Sequence, residues 1–143
     1  MTNVTPVNHH QNIPTVAKSF IAASGEIGNA DLAPKLRHLV DLRASQMNQC
    51  AFCVKMHTEE ALADGESQER LQRLVVWRHV DDFTPAEKAA FAWTEALTDL
   101  NPDTDYGRLR ADLRNHFEDA QISAITAAIA MINLWNRVQV SNH

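Results

Sequence analysis

Apolar residues recur along most of the chain at spacings of three and four, and nowhere does polar and apolar alternation run long enough for a half-buried strand. The pattern predicts an all-helical chain. From Asp31 to about Met47, Leu32, Leu36, Leu39, Val40 and Leu42 follow one helical period, with Asp31 placed to cap the start and Pro34 in the first turn. Asn48 and Gln49 read as a tight break. A second helix begins at or just before Cys50 and runs to Asp64, where Gly65 supplies a left-handed stop. Ser67 caps a third helix through Leu71, Leu74, Val75 and Trp77, and Asp81 to Phe83 connect it onward.

The clearest start follows. Thr84, Pro85 and Glu87 form a capping box with proline at the first helical position, launching a helix through Phe91 and Trp93 to Leu97. Asn101 to Asp105 read as a turn, and Leu109 and Leu113 mark a shorter helix. The last helix, Ile122 to about Val138, is apolar on more than one face, which demands a central core position or a subunit interface. Residues 1–11 are polar and aperiodic and are expected to form a flexible arm, leaving 12–143 as one domain whose packing starts near Ile13.

At 143 residues the chain is long enough to bury a core without disulfides or a structural metal. The net charge of -5 leaves no broad basic face for nucleic acid. The most apolar stretch, Ala124 to Ile132, is far shorter than the roughly 20 residues a membrane span needs, and the first residues carry no apolar targeting segment. A cytoplasmic location is expected.

The chemistry gathers at Cys50, Cys53 and His57. On a helix their offsets of three and four bring the three side chains within about 60° of one another, on one face. Two cysteines one turn apart can close a disulfide, and a histidine one turn beyond can exchange a proton with the nearer thiol. The free N–H groups and positive dipole at the helix start favour a thiolate, which points to Cys50 as the more acidic thiol. The same residues could supply three zinc ligands, but a structural zinc site needs a fourth, and the other histidines are scattered. Helical spacing places Trp77, Phe83, Trp93 and Trp135 in a core or an interface. Arg43, Arg78 and Arg137 could line a pocket or pair with carboxylates.

With Leu42-Arg43-Ala44-Ser45-Gln46-Met47-Asn48, Cys50-Ala51-Phe52-Cys53, Met56-His57-Thr58, Trp77-Arg78, Ala92-Trp93-Thr94-Glu95-Ala96-Leu97-Thr98 and Ile129 to Arg137, the chain resembles AhpD-like alkylhydroperoxidases of the carboxymuconolactone decarboxylase superfamily. The resemblance runs from about Ile13 to Val140. It implies an AhpD-like bundle of about six to seven helices, assembling as a trimer or hexamer, that reduces organic hydroperoxides with electrons from a thiol reductant and without cofactor or metal. By the family pattern Cys53 is the peroxidatic cysteine, Cys50 the resolving one and His57 part of the proton relay. The family's relay glutamate lies twelve residues before the first cysteine, where this chain has His38. An imidazole can accept a proton but brings no permanent negative charge to hold His57, and Asp41, one turn on, is a partial substitute. Gln49 stands where the family often has glycine. Two other functions remain open: a thiol-disulfide exchanger or redox sensor with poor peroxide turnover, and a lactone decarboxylase, which would not need the cysteine pair.

Overall fold

The computed structural model describes residues 2–143, and among them there are eight α-helices, one 3-10 segment and no strand. The helices are α1 (His9–Asn12), α2 (Pro14–Gly28), α3 (Pro34–Met47), α4 (Ala51–Ala63), α5 (Gln68–Arg73), α6 (Pro85–Asp99), α7 (Tyr106–Arg114) and α8 (Asp119–Val140), with the 3-10 segment Leu74–His79 following α5. Two of the eight, α1 and α2, are additional to the elements read from the sequence. In α2, Val16, Ala17, Phe20 and Ile27 do follow a helical period, but Thr15, Ser19, Ser24, Gly25 and Gly28 weaken helical propensity, and only Ala17 is buried.

Three local details also differ from expectation. Helix α3 starts after Ala33 with Pro34 at its first position, and Asp31 does not cap it. The Ser67 helix is short, because the backbone tightens to 3-10 geometry from Leu74 onward and Val76 leaves helical angles altogether (φ -118, ψ 25). At α6 the Thr84 hydroxyl accepts from the Glu87 N–H at 3.1 Å, but the Glu87 carboxylate does not reach back; it takes the Arg70 guanidinium at 2.8 Å.

Helix α3 is the axis of the bundle. Leu39, Val40, Asp41, Leu42, Ala44 and Ser45 are all buried, a run that covers every face of a helix and requires neighbours all round. On one side Leu39 and Leu42 meet Ala61, Leu71, Leu74, Trp77, Phe83 and Phe91; on the other, Val40 meets Ala90, Trp93, Leu113, Ile125 and Ile129. Three of the four aromatics flagged above thus belong to the core. Trp135 is only partly buried and lines a cavity. Arg43 and Arg78 both close on Glu95, which also accepts from the Trp77 indole N–H at 2.8 Å.

Of the arm expected over 1–11, Met1 lies outside the described residues. Val7 exchanges two backbone hydrogen bonds with the Asn142 side chain, the His9 ring meets the Ser141 hydroxyl at 2.9 Å, and the His10 ring stacks on Trp135.

The break between α3 and α4 positions the cysteines. Gln49 takes the left-handed conformation (φ 54), which lets the Cys50 N–H return to the Ser45 carbonyl at 3.1 Å while Asn48 and Gln49 bond the last turn of α3. Buried amides then hold the break against α8. Asn48 donates to Asn133 and Asn136, each at 2.9 Å; Asn136 donates to Ser45; Asn133 donates to Thr98. The Gln49 side chain is exposed and takes no part. Gln49→Gly should therefore raise stability by about 0.5–1 kcal/mol in denaturant unfolding, because glycine adopts this angle without steric cost. A loss of stability instead would mean that the glutamine itself supports the turn.

Candidate active site

Helix α4 begins with the chemistry. Cys50 is its N-cap, in extended geometry, and the Cys53 N–H donates to the Cys50 sulfur at 3.4 Å. The two cysteines are joined in a disulfide, with their α-carbons 5.3 Å apart. Both are sealed from bulk solvent, Cys50 at 0% exposure and Cys53 at 2%. They are not equivalent. Cys53 lines a cavity of about 520 Å³ between α2, α3, α4 and α8, whereas Cys50 does not reach it.

The cavity wall is divided by character. Leu32, Phe52, Met56, Met131, Ile132 and Trp135 supply apolar surface, while Arg37, His38, Asp41, His57, Glu60 and Asp64 gather at the polar side. Phe52, between the cysteines in sequence, is largely exposed.

His57 is buried one helical turn beyond Cys53, with its Nδ1 3.0 Å from Glu60 Oε2. A carboxylate only accepts, so Nδ1 carries the proton. Nε2 is buried and has no hydrogen-bond partner among the described residues. Burial pushes the ring's pKa below its ordinary value, against the opposing pull of Glu60, which keeps the imidazole neutral near pH 7. A neutral ring protonated at Nδ1 offers a free lone pair at Nε2.

His38, the residue at the family's glutamate position, is tied elsewhere: its Nε2 lies 2.5 Å from Asp64 Oδ2, and its Nδ1 is 3.9 Å from Glu60. Asp41 is closer to the centre of the site. Its Oδ2 lies 4.0 Å from His57 Nδ1 and 3.7 Å from Arg37 Nε, and burial raises its pKa to about 7, with Arg37 opposing the rise and Glu60 adding to it. Cys53, His57 and His38 line the same cavity, and Cys50 is joined to Cys53 behind it. The structure adds Glu60, the group that orients His57. The sequence held a weak signal for it, since a glutamate three residues after a histidine shares its helix face, but such pairs are commonplace on helix surfaces.

The profile of the carboxymuconolactone decarboxylase family matches residues 14–96, and α3, the disulfide, His57 and Glu60 all fall within that span. The chain belongs to this family. Among family relatives, the uncharacterised protein YdfG of Bacillus subtilis (strain 168) is 38% identical over 139 residues, covering 94% of this chain and 92% of YdfG. The crystal structure of ATU0492 from Agrobacterium tumefaciens, a protein of unknown function assigned provisionally to antioxidant defence and AhpD, superposes with a TM-score of 0.91 at 36% identity over 96% of this chain and 94% of that one. An uncharacterised peroxidase-related protein from Ralstonia eutropha JMP134, described as an alkylhydroperoxidase AhpD core, shares the fold with a TM-score of 0.78 at 21% identity, covering 90% of this chain and 68% of its own. The family member described here is AhpD-like in fold, and its paired cysteines fit a redox role. None of its described helices is long and apolar enough to cross a membrane.

Proposed function

We propose that the protein is a thiol-dependent peroxidase for organic hydroperoxides, cycling Cys50 and Cys53 between dithiol and disulfide. The observation that carries this reading is the asymmetry of the pair: of the two cysteines Cys53 alone lines the cavity, one helical turn before an imidazole with an unpartnered nitrogen.

In the oxidative half, His57 Nε2 removes the Cys53 proton. The thiolate attacks the terminal peroxide oxygen, the O–O bond breaks, and the alcohol leaves with the proton returned from His57. Cys53 is then a sulfenic acid. The Cys50 thiolate attacks its sulfur, the hydroxyl departs as water, and the disulfide closes; the dithiol has given two electrons to the peroxide. In the reductive half, an external thiol attacks Cys53 from the cavity and Cys50 departs. The Cys53 N–H directed at the Cys50 sulfur stabilises the departing thiolate, and a more acidic thiol leaves faster. Placement at the helix end therefore makes Cys50 a good leaving group without making it the sulfur that meets peroxide.

Glu60 holds the His57 tautomer that leaves Nε2 basic, the service the family's glutamate was expected to render from position 38. The working form is taken to be a cytoplasmic homo-oligomer, a trimer or hexamer, with no cofactor needed for the cycle. The test is consumption of a dithiol such as dihydrolipoamide driven by an organic hydroperoxide. Many turnovers per protein are expected. One equivalent of disulfide followed by arrest would replace the peroxidase with a redox sensor or thiol-disulfide exchanger of the same fold.

A further inference from the structure

His38, His57 and Glu60 each present a ligand atom to one small volume: one nitrogen from each ring and one carboxylate oxygen all lie within 4.8 Å of one another. Glu60 Oε2 is 3.0 Å from His57 Nδ1 and 3.9 Å from His38 Nδ1. Ligand atoms about 2.0–2.1 Å from a tetrahedral zinc ion stand roughly 3.3 Å apart, so small rotations of these side chains suffice to close the set. Glu60 is exposed, and the cavity provides both an entry path and room for a water at the fourth position.

A further feature suits a metal. His38 gives its Nε2–H to Asp64, the carboxylate-to-imidazole arrangement that orients metal-bound histidines and leaves the opposite nitrogen as a lone pair. His57 Nε2, buried and without a partner, is the nitrogen that would take up the ring proton once Nδ1 is taken by an ion.

We propose that His38, His57 and Glu60 form an inhibitory binding site for a first-row divalent cation, Zn²⁺ above all, that competes with proton transfer at the cysteines. Imidazole and carboxylate donors in a three-ligand set with an open fourth position suit Zn²⁺ better than Ca²⁺ or Mg²⁺, which take all-oxygen shells. Binding takes the Nδ1 lone pair of His57 as a ligand and moves the single ring proton from Nδ1 to Nε2, with no net proton released from the ring. The lone pair that the Proposed function requires at Nε2 is then gone, so the ion blocks deprotonation of Cys53 without touching either sulfur. The inhibitory consequence rests on that functional reading; the binding itself does not.

The two are separable by working first on oxidised protein, in which the disulfide removes both sulfurs as ligands. His9→Ala/His10→Ala protein serves as the background, so that the imidazoles near the N-terminus cannot contribute. Titration with Co²⁺ should give one equivalent with the visible bands of a tetrahedral N/O site, and Zn²⁺ should displace it. Binding should weaken at least 10-fold in His38→Ala and in Glu60→Gln, with circular dichroism confirming that each variant is folded, and about 10-fold in Asp64→Asn through loss of the orienting carboxylate. Absence of saturable binding, or binding indifferent to these substitutions, overturns the site. In reduced protein Zn²⁺ should then slow hydroperoxide-driven thiol oxidation at least 10-fold at site saturation, reversed by chelator. Binding in the oxidised form with an unaffected oxidation rate overturns the inhibition.

Discussion

Cys53→Ser should abolish hydroperoxide turnover, a loss on the order of 10³-fold or more, because no other cysteine lines the cavity and serine cannot supply a thiolate near neutral pH. Cys50→Ser should fail differently. Its Cys53 can still be deprotonated by His57 and attack one peroxide, releasing one equivalent of alcohol, but the sulfenic acid then has no partner and the cycle stops. The two variants are told apart by intact mass after a single addition of hydroperoxide, with a sulfenic-acid trap such as dimedone. An adduct on Cys53 in Cys50→Ser and none in Cys53→Ser supports the assignment. An adduct on Cys50 in the Cys53→Ser protein would reverse the roles and make helix-end acidity the deciding factor over access.

That contest between acidity and access shows what the sequence carried and what it did not. Spacing alone put two sulfurs and an imidazole on one helical face, because helix geometry is local and nearly invariant. Which sulfur meets the cavity depends on how α2, α3 and α8 close around α4, and the apolar pattern carries no such tertiary detail. The same limit hid the partner of His57. The family pattern points to a base at position 38, but the His38 ring turns toward Asp64, at the far end of α4, and the carboxylate of Glu60 stands beside His57 instead. Asn48, Asn133 and Asn136 were visible as residues, yet their joint action in fixing the α3–α4 break links positions 85 and 88 residues apart. Helix α2 escaped because its segment is rich in Ser, Gly and Thr, and its order comes from docking on α8, including the Trp135 indole donating to Ser24 at 3.0 Å.

Asp41 is the residue whose behaviour with pH should be largest. Its carboxyl is buried in the middle of the central helix, and the Arg37 guanidinium at 3.7 Å offsets only part of the desolvation, leaving a folded-state pKa of about 7 against 3.8 for an unperturbed aspartate. For an acid with a raised folded pKa the sign is unfavourable to the native state. Below 3.8 the group is protonated in both states and costs nothing; between 3.8 and about 7 the unfolded chain releases the proton while the folded chain keeps it, so stability falls as pH rises; above 7 the loss levels off at roughly 4 kcal/mol. Asp41→Asn keeps the shape and removes the proton. In chelator-treated protein, the unfolding free energies of variant and wild type should be close at pH 4, separate progressively up to pH 7, and hold a gap of about 2–4 kcal/mol in the variant's favour at pH 8. Taking the difference between the two proteins cancels the titration of shared groups, with His57 and Glu60, which face Asp41, as the remaining couplings. A gap that stays flat or runs against the variant would mean that Arg37 holds Asp41 as a stabilising carboxylate. If the gap opens as expected, a buried acid that weakens the fold is being kept 4.0 Å from the ring proposed as the base for Cys53. Its negative charge, appearing as pH rises through 7, would then draw protons onto His57 and couple the basicity of that ring to the pH of its surroundings.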